Sequence, residues 1–382
     1  MQFFKRNRWL AGVFTALTAM LLVAVSLSGC SNLGYYWQNT QGHMAVLNAA
    51  KPVQEWLSDE AASKNLKAKL ELSQRIRAFA SQELKLPDNA SYTRYADLKR
   101  SAVVWNVVAA PPYSLQLKNW CFAVVGCVSY RGYYSEADAK AEGERVKAEG
   151  MEVNVYGVPA YSTLGYLNWL GGDPLLSTFI GYPEGELARM IFHELAHQVL
   201  YVKDDTMFNE SFASSVERLG GKMWLDKHGS EAARKEYAEL DHRRKEFRSL
   251  NLRARARLEL IYKQNRDLAG KESAQSATEL IATQKQAAMQ QLRDEYAQLK
   301  SSWGGFSGYD RFIAQANNAS LGALAAYDDL VPQFEAAFEK QGKDWQVFYG
   351  AIKAITPLPK EERRAALAKL AQTAYLAEPV TK

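Results

Sequence analysis

The stretch Arg189-Met190-Ile191-Phe192-His193-Glu194-Leu195-Ala196-His197-Gln198-Val199 decides how this chain is read. Residues four apart on a helix share a face about one turn apart, so the imidazoles of His193 and His197 can meet one metal ion. Glu194, beside the first of them, stands where a carboxylate can take the proton of a water that the metal activates. Leu195 and Ala196 are uncharged, as a helix whose far side packs into a core requires. With five His in the chain, this spacing arises by chance in only about a few sequences per thousand of this length, and its context gives it weight.

A catalytic zinc ion usually keeps three protein ligands and one open position. Downstream runs Asp205-Thr206-Met207-Phe208-Asn209-Glu210-Ser211-Phe212-Ala213-Ser214-Ser215-Val216-Glu217. Asn209-Glu210, opening a second helix, resembles the Asn-Glu of thermolysin-like gluzincins, whose glutamate completes the zinc shell. That resemblance makes Glu210 the expected third ligand, and the segment between His197 and Glu210 leaves room for the chain to reverse. Glu217, about two turns further along the same face, is the alternative ligand, or else an acceptor for a zinc-bound imidazole. Thermolysin-like enzymes carry an Asp four residues after the ligand Glu, where this chain has Ser214. His43, His228 and His242 receive no role.

At the N-terminus, Lys5, Arg6 and Arg8 precede an apolar run from Trp9 to Leu27, which reads as a signal peptide over 1–29. Leu27-Ser28-Gly29-Cys30 resembles a bacterial lipobox, which implies lipidation of Cys30 and cleavage before it; a retained membrane anchor is the alternative. Ser31 after the cysteine resembles an outer-membrane address, so the mature chain is expected to face the periplasm. Of the formal charge of +5, three units belong to Lys5, Arg6 and Arg8, which leaves 5 − 3 = +2. Bulk electrostatics therefore give no reason to expect a nucleic-acid partner. In an oxidising compartment Cys121 and Cys127 are expected to form a disulfide, since neither a second Cys pair nor a nearby His completes a metal site there.

The expected order is a tether over 30–50, a catalytic core over 51–229, a helical hairpin over 230–302 with a break near Gly270, and a C-terminal helical region over 303–382 that packs on the core. Within the core, 51–86 has helical spacing, and 102–134 has the Val, Trp and Tyr content of strands and tight turns. Residues 135–149 suit an exposed helix capped by Ser135, and Met151–Tyr156 a strand, with a further strand within Val158–Gly165. A helix is expected from Pro183 through Leu200, and another from Phe208 to Leu219, interrupted by Gly220-Gly221. The fold class is α+β and mostly α-helical, with a zincin-like core of a small sheet, the HExxH helix and the Glu helix.

Over nearly all of the mature chain the sequence resembles a bacterial family of predicted lipoprotein aminopeptidases related to the gluzincins. The resemblance is carried by LPDNASYTRYADL at 86–98, VVWNVVAAPPYSL at 103–115, WCFAVVGCVSYRGYY at 120–134, AYSTLGYLNWLGGDPLLST at 160–178, the HExxH segment and Asn317-Asn318-Ala319. It implies zinc-dependent hydrolysis of peptide bonds. By analogy with gluzincins, Ala160–Leu164 is the expected strand for pairing with an extended peptide substrate. Tyr161, Arg131, Tyr201 and Tyr309 are candidate donors to the oxyanion. The Gly-x-Met-Glu-Asn segment that holds a free amine in one large aminopeptidase family is absent from this sequence. The Arg-rich run from Arg243 to Arg257 reads as a solvated helix face balanced by Asp241, Glu246 and Glu259. The competing function is a lipid-anchored scaffold or assembly factor with a structural or vestigial zinc site, its protein partner held at the hairpin.

Overall fold

The computed structural model describes residues 34–122, 126–165, 168–268 and 274–372. The signal peptide, Cys30 and the turn of the hairpin near Gly270 lie outside the described residues. The chain divides between Asn48 and Ala49 into two compact units. The stretch read as a tether is helical (α1, 34–49), and all but its last residue belongs to the first unit. The second holds everything from Ala49 onward.

That second unit begins with β1 (Ala50–Pro52), α2 (Val53–Ser58) and α3 (Lys64–Gln82), and β1 pairs antiparallel with β2 (Arg94–Ala96). Its central sheet is built on β3 (Val104–Ala110), flanked antiparallel by β6 (Arg131–Tyr133) and β7 (Glu152–Val158). β4 (Trp120–Phe122) and β5 (Gly126–Val128) form a separate hairpin in which Cys121 and Cys127 sit opposite each other and are disulfide-bonded.

The central strand is apolar on both faces because helices cover both. Side chains alternate along a strand, so Ala109 faces one way and Val108 and Ala110 the other. Ala109 packs with Val146 of α4 (Glu136–Ala148), and Val108 and Ala110 pack with Ala319 of α10 (Asn318–Asp328). Ser135 caps α4 by accepting from the Asp138 N–H, as its sequence suggests.

β8 (Leu175–Leu176) pairs parallel with β2 and leads into α5 (Glu184–Ala196), which lies beside α6 (Thr206–His228). Three expectations are corrected here. First, no strand forms within 159–165 beyond the end of β7 at Val158. The Thr163 N–H instead points at the Asp173 carboxylate, 3.1 Å away, and the Ser162 hydroxyl lies 3.4 Å from the Glu194 carbonyl. Second, α5 stops at Ala196 and does not reach Leu200. The Gln198 and Val199 N–H groups tighten to bonds with Leu195 and Ala196, three residues back. Third, α6 runs unbroken through Gly220-Gly221. A Cβ at Gly220 would stand 2.5 Å from Leu84 Cδ1 and 3.0 Å from Phe192 Cδ2, and one at Gly221 would stand 2.8 Å from Arg189 Cγ. The glycines trade helix propensity for close approach, and packing decides.

α7 (Glu231–Leu268) and α8 (Ala274–Ser302) pack along each other around a cluster that includes Leu250, Leu258, Leu292 and Tyr296. Several contacts tie the hairpin to the rest of the fold. Lys285 reaches Glu152 and the Pro112 carbonyl, and the Tyr262 hydroxyl donates to Asn318, whose amide in turn holds the carbonyls of Pro111 and Pro112. Near the start of α7, Tyr237 sits against Gly185 and Gly221. The remaining helices, α9 (Asp310–Ala314), α11 (Val331–Lys340), α12 (Trp345–Ile355) and α13 (Lys360–Leu370), complete a mostly helical α+β fold. Phe334 and Phe348 bury Phe212 of α6. Among the described residues, no helix is long and apolar enough to cross a membrane.

Candidate metal centre

His193 in the last turn of α5 and His197, the residue that caps its end, share one face, and the chain must then turn back to bring Glu210 to them. Asn209 closes that turn: its Oδ1 accepts from the Val202 N–H and its Nδ2 donates to the Val202 carbonyl, both at 2.8 Å. Asp205 caps α6 by accepting from the Phe208 N–H at 3.2 Å. The Asp205 carboxylate is itself buried and held by Arg363 (2.8 Å) and Arg364 (2.5 Å) of α13. The start of the glutamate helix is thus pinned by the C-terminal region.

The result is a cluster of His193, His197 and Glu210 whose donor atoms all lie within 4.8 Å of one another. Glu210 Oε2 is 3.4 Å from His193 Nε2 and 3.6 Å from His197 Nε2, and the two Nε2 atoms are 3.2 Å apart. Three mostly buried donors of N, N and O type converging from two helices fit a zinc ion in their chemistry and number. Burial acts against the His193 charge, but Glu210 and Glu217 outweigh it, and its pKa is raised well above the ordinary value. Burial likewise works against ionisation of Glu210, whereas the two imidazoles pull its pKa down.

Glu217 is not part of the converging set. Its Oε2 lies 3.0 Å from His193 Nδ1, on the far side of the ring from Glu210, and its Oε1 accepts from Arg189. Of the two roles open to Glu217 in the sequence, its place behind the imidazole matches the second: it stands at ion-pair distance from Nδ1, without the alignment of a formed hydrogen bond. Burial raises its carboxyl, but the Arg189 charge and His193 hold it at about 2.

Glu194 is buried one residue from the first histidine. Burial pushes its carboxyl up, and the neighbouring imidazoles only partly offset this. Behind α5, Gln198 Nε2 contacts Ser91 Oγ (3.2 Å) and Asp173 (3.4 Å) and receives Asn89 Nδ2 on its carbonyl at 2.7 Å. Asn89, Ser91 and Asp173, from two of the segments that carried the family resemblance, therefore anchor the end of the HExxH helix.

Two of the four oxyanion candidates are engaged elsewhere. Tyr309 stacks on Phe247 in the hairpin cluster, with ring centroids 3.9 Å apart, and Arg131 is 3.4 Å from Glu142. Tyr161 is 46% exposed, its ring against Tyr134. A residue that sequence reading passed over, Tyr130, lies in the electrostatic field of Glu210, Tyr201 and Tyr161, and burial first and then Glu210 raise its pKa well above the ordinary value. Tyr156 also senses Glu210, but its hydroxyl is engaged with Asn106. Nothing in the spacing of Tyr130 signals this proximity, since it depends on how β5 and β6 are joined.

A search of curated proteins and a search of solved structures each found no match to the chain. A family model described as "Putative aminopeptidase" matches residues 34–367, from α1 into α13 and across the whole candidate metal centre, and the chain belongs to that family.

Proposed function

We propose that the protein is a zinc-dependent peptidase, with His193, His197 and Glu210 as metal ligands and Glu194 as general base. The observation that carries this is the convergence of His193 Nε2, His197 Nε2 and Glu210 Oε2, contributed by two helices, with Glu194 buried beside them. A zinc ion held there would supply a Lewis acid that polarises a peptide carbonyl. Glu194 takes the proton of the attacking water and returns it to the leaving amine; a carboxyl raised by burial is suited to both transfers. Tyr130, which senses the Glu210 charge, is the residue proposed as donor to the oxyanion. Glu217 holds His193 from behind, fixing which ring nitrogen faces the metal.

The reading extends to an envelope lipoprotein, acylated at Cys30, attached to the outer membrane and facing the periplasm; the signal at 1–29 and the Cys121–Cys127 pair support it. The test of the reaction is hydrolysis of a broad peptide library by the purified chain and by Glu194→Gln. The variant should lose turnover while retaining zinc; equal activity in both would rule Glu194 out as the base.

A further inference from the structure

Arg189 lies one turn before His193 on α5, so the two side chains share a face. Its side chain is 8% exposed. Among the described residues its Nε and Nη1 have no hydrogen-bond partner, and its Nη2 donates to Glu217 Oε1. A buried guanidinium that spends its one hydrogen bond on a carboxylate is poorly explained as a stability device, because taking both charges out of water costs much of what the pair returns. It is better explained by what Glu217 does with its other oxygen, which faces His193 Nδ1 at 3.0 Å.

The pair is backed by the hairpin. Tyr237 of α7 lays its ring 6.0 Å from the Arg189 guanidinium carbon, in the space that Gly185 and Gly221 leave open. Arg244, one further α7 residue, holds Glu186 at 2.7 Å, and Glu186 in turn lies 3.8 Å from Arg189 Nη1. A continuous line of contacts thus runs from α7 through Arg189 and Glu217 to the ring of His193.

We propose that Arg189, backed by Tyr237 and Arg244, is a positioning residue that fixes the Glu217 carboxylate on His193 Nδ1 and so presents His193 Nε2 to the metal. This rests on the zinc reading of the site. It also gives the start of α7 a part in the chemistry, since a hairpin that merely decorated the core would have no reason to press on the ion pair behind a ligand. With Arg189 in place the imidazole carries its hydrogen on Nδ1 and leaves Nε2 free for zinc. Without it, Glu217 loses the partner that orients it, and the ring loses its fixed tautomer.

The test compares the full wild-type chain with Arg189→Met and Arg189→Lys, measuring zinc affinity by chelator competition together with kcat and KM on a hydrolysed peptide. Arg189→Met should bind zinc about 10-fold or more weakly and lose kcat with KM little changed. Arg189→Lys, which keeps the charge but not the planar fork, should recover part of both. Should Arg189→Met fail to fold, the double variant Arg189→Met/Glu217→Gln removes both buried charges and should fold with zinc affinity similarly reduced. Wild-type zinc affinity and kcat in a folded Arg189→Met, or wild-type zinc affinity in the double variant, would overturn the proposal. A wild-type chain that takes up no zinc would instead overturn the reading of the site, and the proposal with it.

Discussion

Gly220 of α6 faces Phe192 of α5 so closely that a Cβ on it would stand 3.0 Å from the Phe192 ring and 2.5 Å from Leu84. Phe192 is the residue before His193, and Gly220 is three residues after Glu217. The approach that this glycine permits therefore sets the distance between the histidines and the carboxylates that meet them.

Gly220→Val should force the two helices apart. Overpacking of this kind costs about 1–3 kcal/mol. Thermal unfolding should show that loss, and zinc affinity should fall with it, because Glu210 and His193 ride on the displaced helices. A Val variant with unchanged affinity would mean that the contact does not set the geometry of the site.

Zinc uptake should release protons at neutral pH. His193 has its pKa raised by Glu210 and Glu217 against the effect of burial, which favours its protonated form. A ligand imidazole must be neutral, so binding expels that proton and apparent zinc affinity rises with pH until His193 has titrated. The same shift has a sign for folding: the stability it lends the metal-free chain is fully present below the unfolded pKa of about 6.5. That contribution is lost as pH rises through the elevated folded value. Calorimetry in buffers of different ionisation enthalpy reads the proton release directly, and a buffer-independent heat would refute it.

Tyr130→Phe keeps the ring packed against Val108, Ala110 and Ala319 and removes only the hydroxyl. Loss of one oxyanion donor costs about 100- to 1,000-fold in kcat. Zinc content and unfolding temperature should stay at wild-type values, while kcat falls on that scale. Full activity would return the role to Tyr201 or Tyr161.

Legibility in the sequence followed the range of the interactions. The α+β class, the Ser135 cap, the β7 strand and the helical hairpin rest on local periodicity and capping, and these were readable. That His193, His197 and Glu210 come together was expected from the helical-turn spacing of the histidines and from the resemblance of Asn209-Glu210 to the gluzincin Asn-Glu, and the three do cluster. What escaped depends on contacts between distant segments. Gly220-Gly221 reads as a break until Leu84, Phe192 and Arg189 are seen against it. The stretch Ala160–Leu164 has strand-like residues, but its polar groups turn to Asp173 and Glu194. Arg189 and Tyr130 carry no spacing signal, because their partners lie on other elements.

The central claim is that His193, His197 and Glu210 hold one zinc ion. Metal analysis of the purified chain after reconstitution with zinc and removal of excess, run beside His197→Ala, tests it most directly. The account predicts one zinc per wild-type chain and a loss of bound zinc in the variant, with both proteins folded by circular dichroism. A folded wild-type chain that retains no zinc, or a variant that retains as much as wild type, would contradict it.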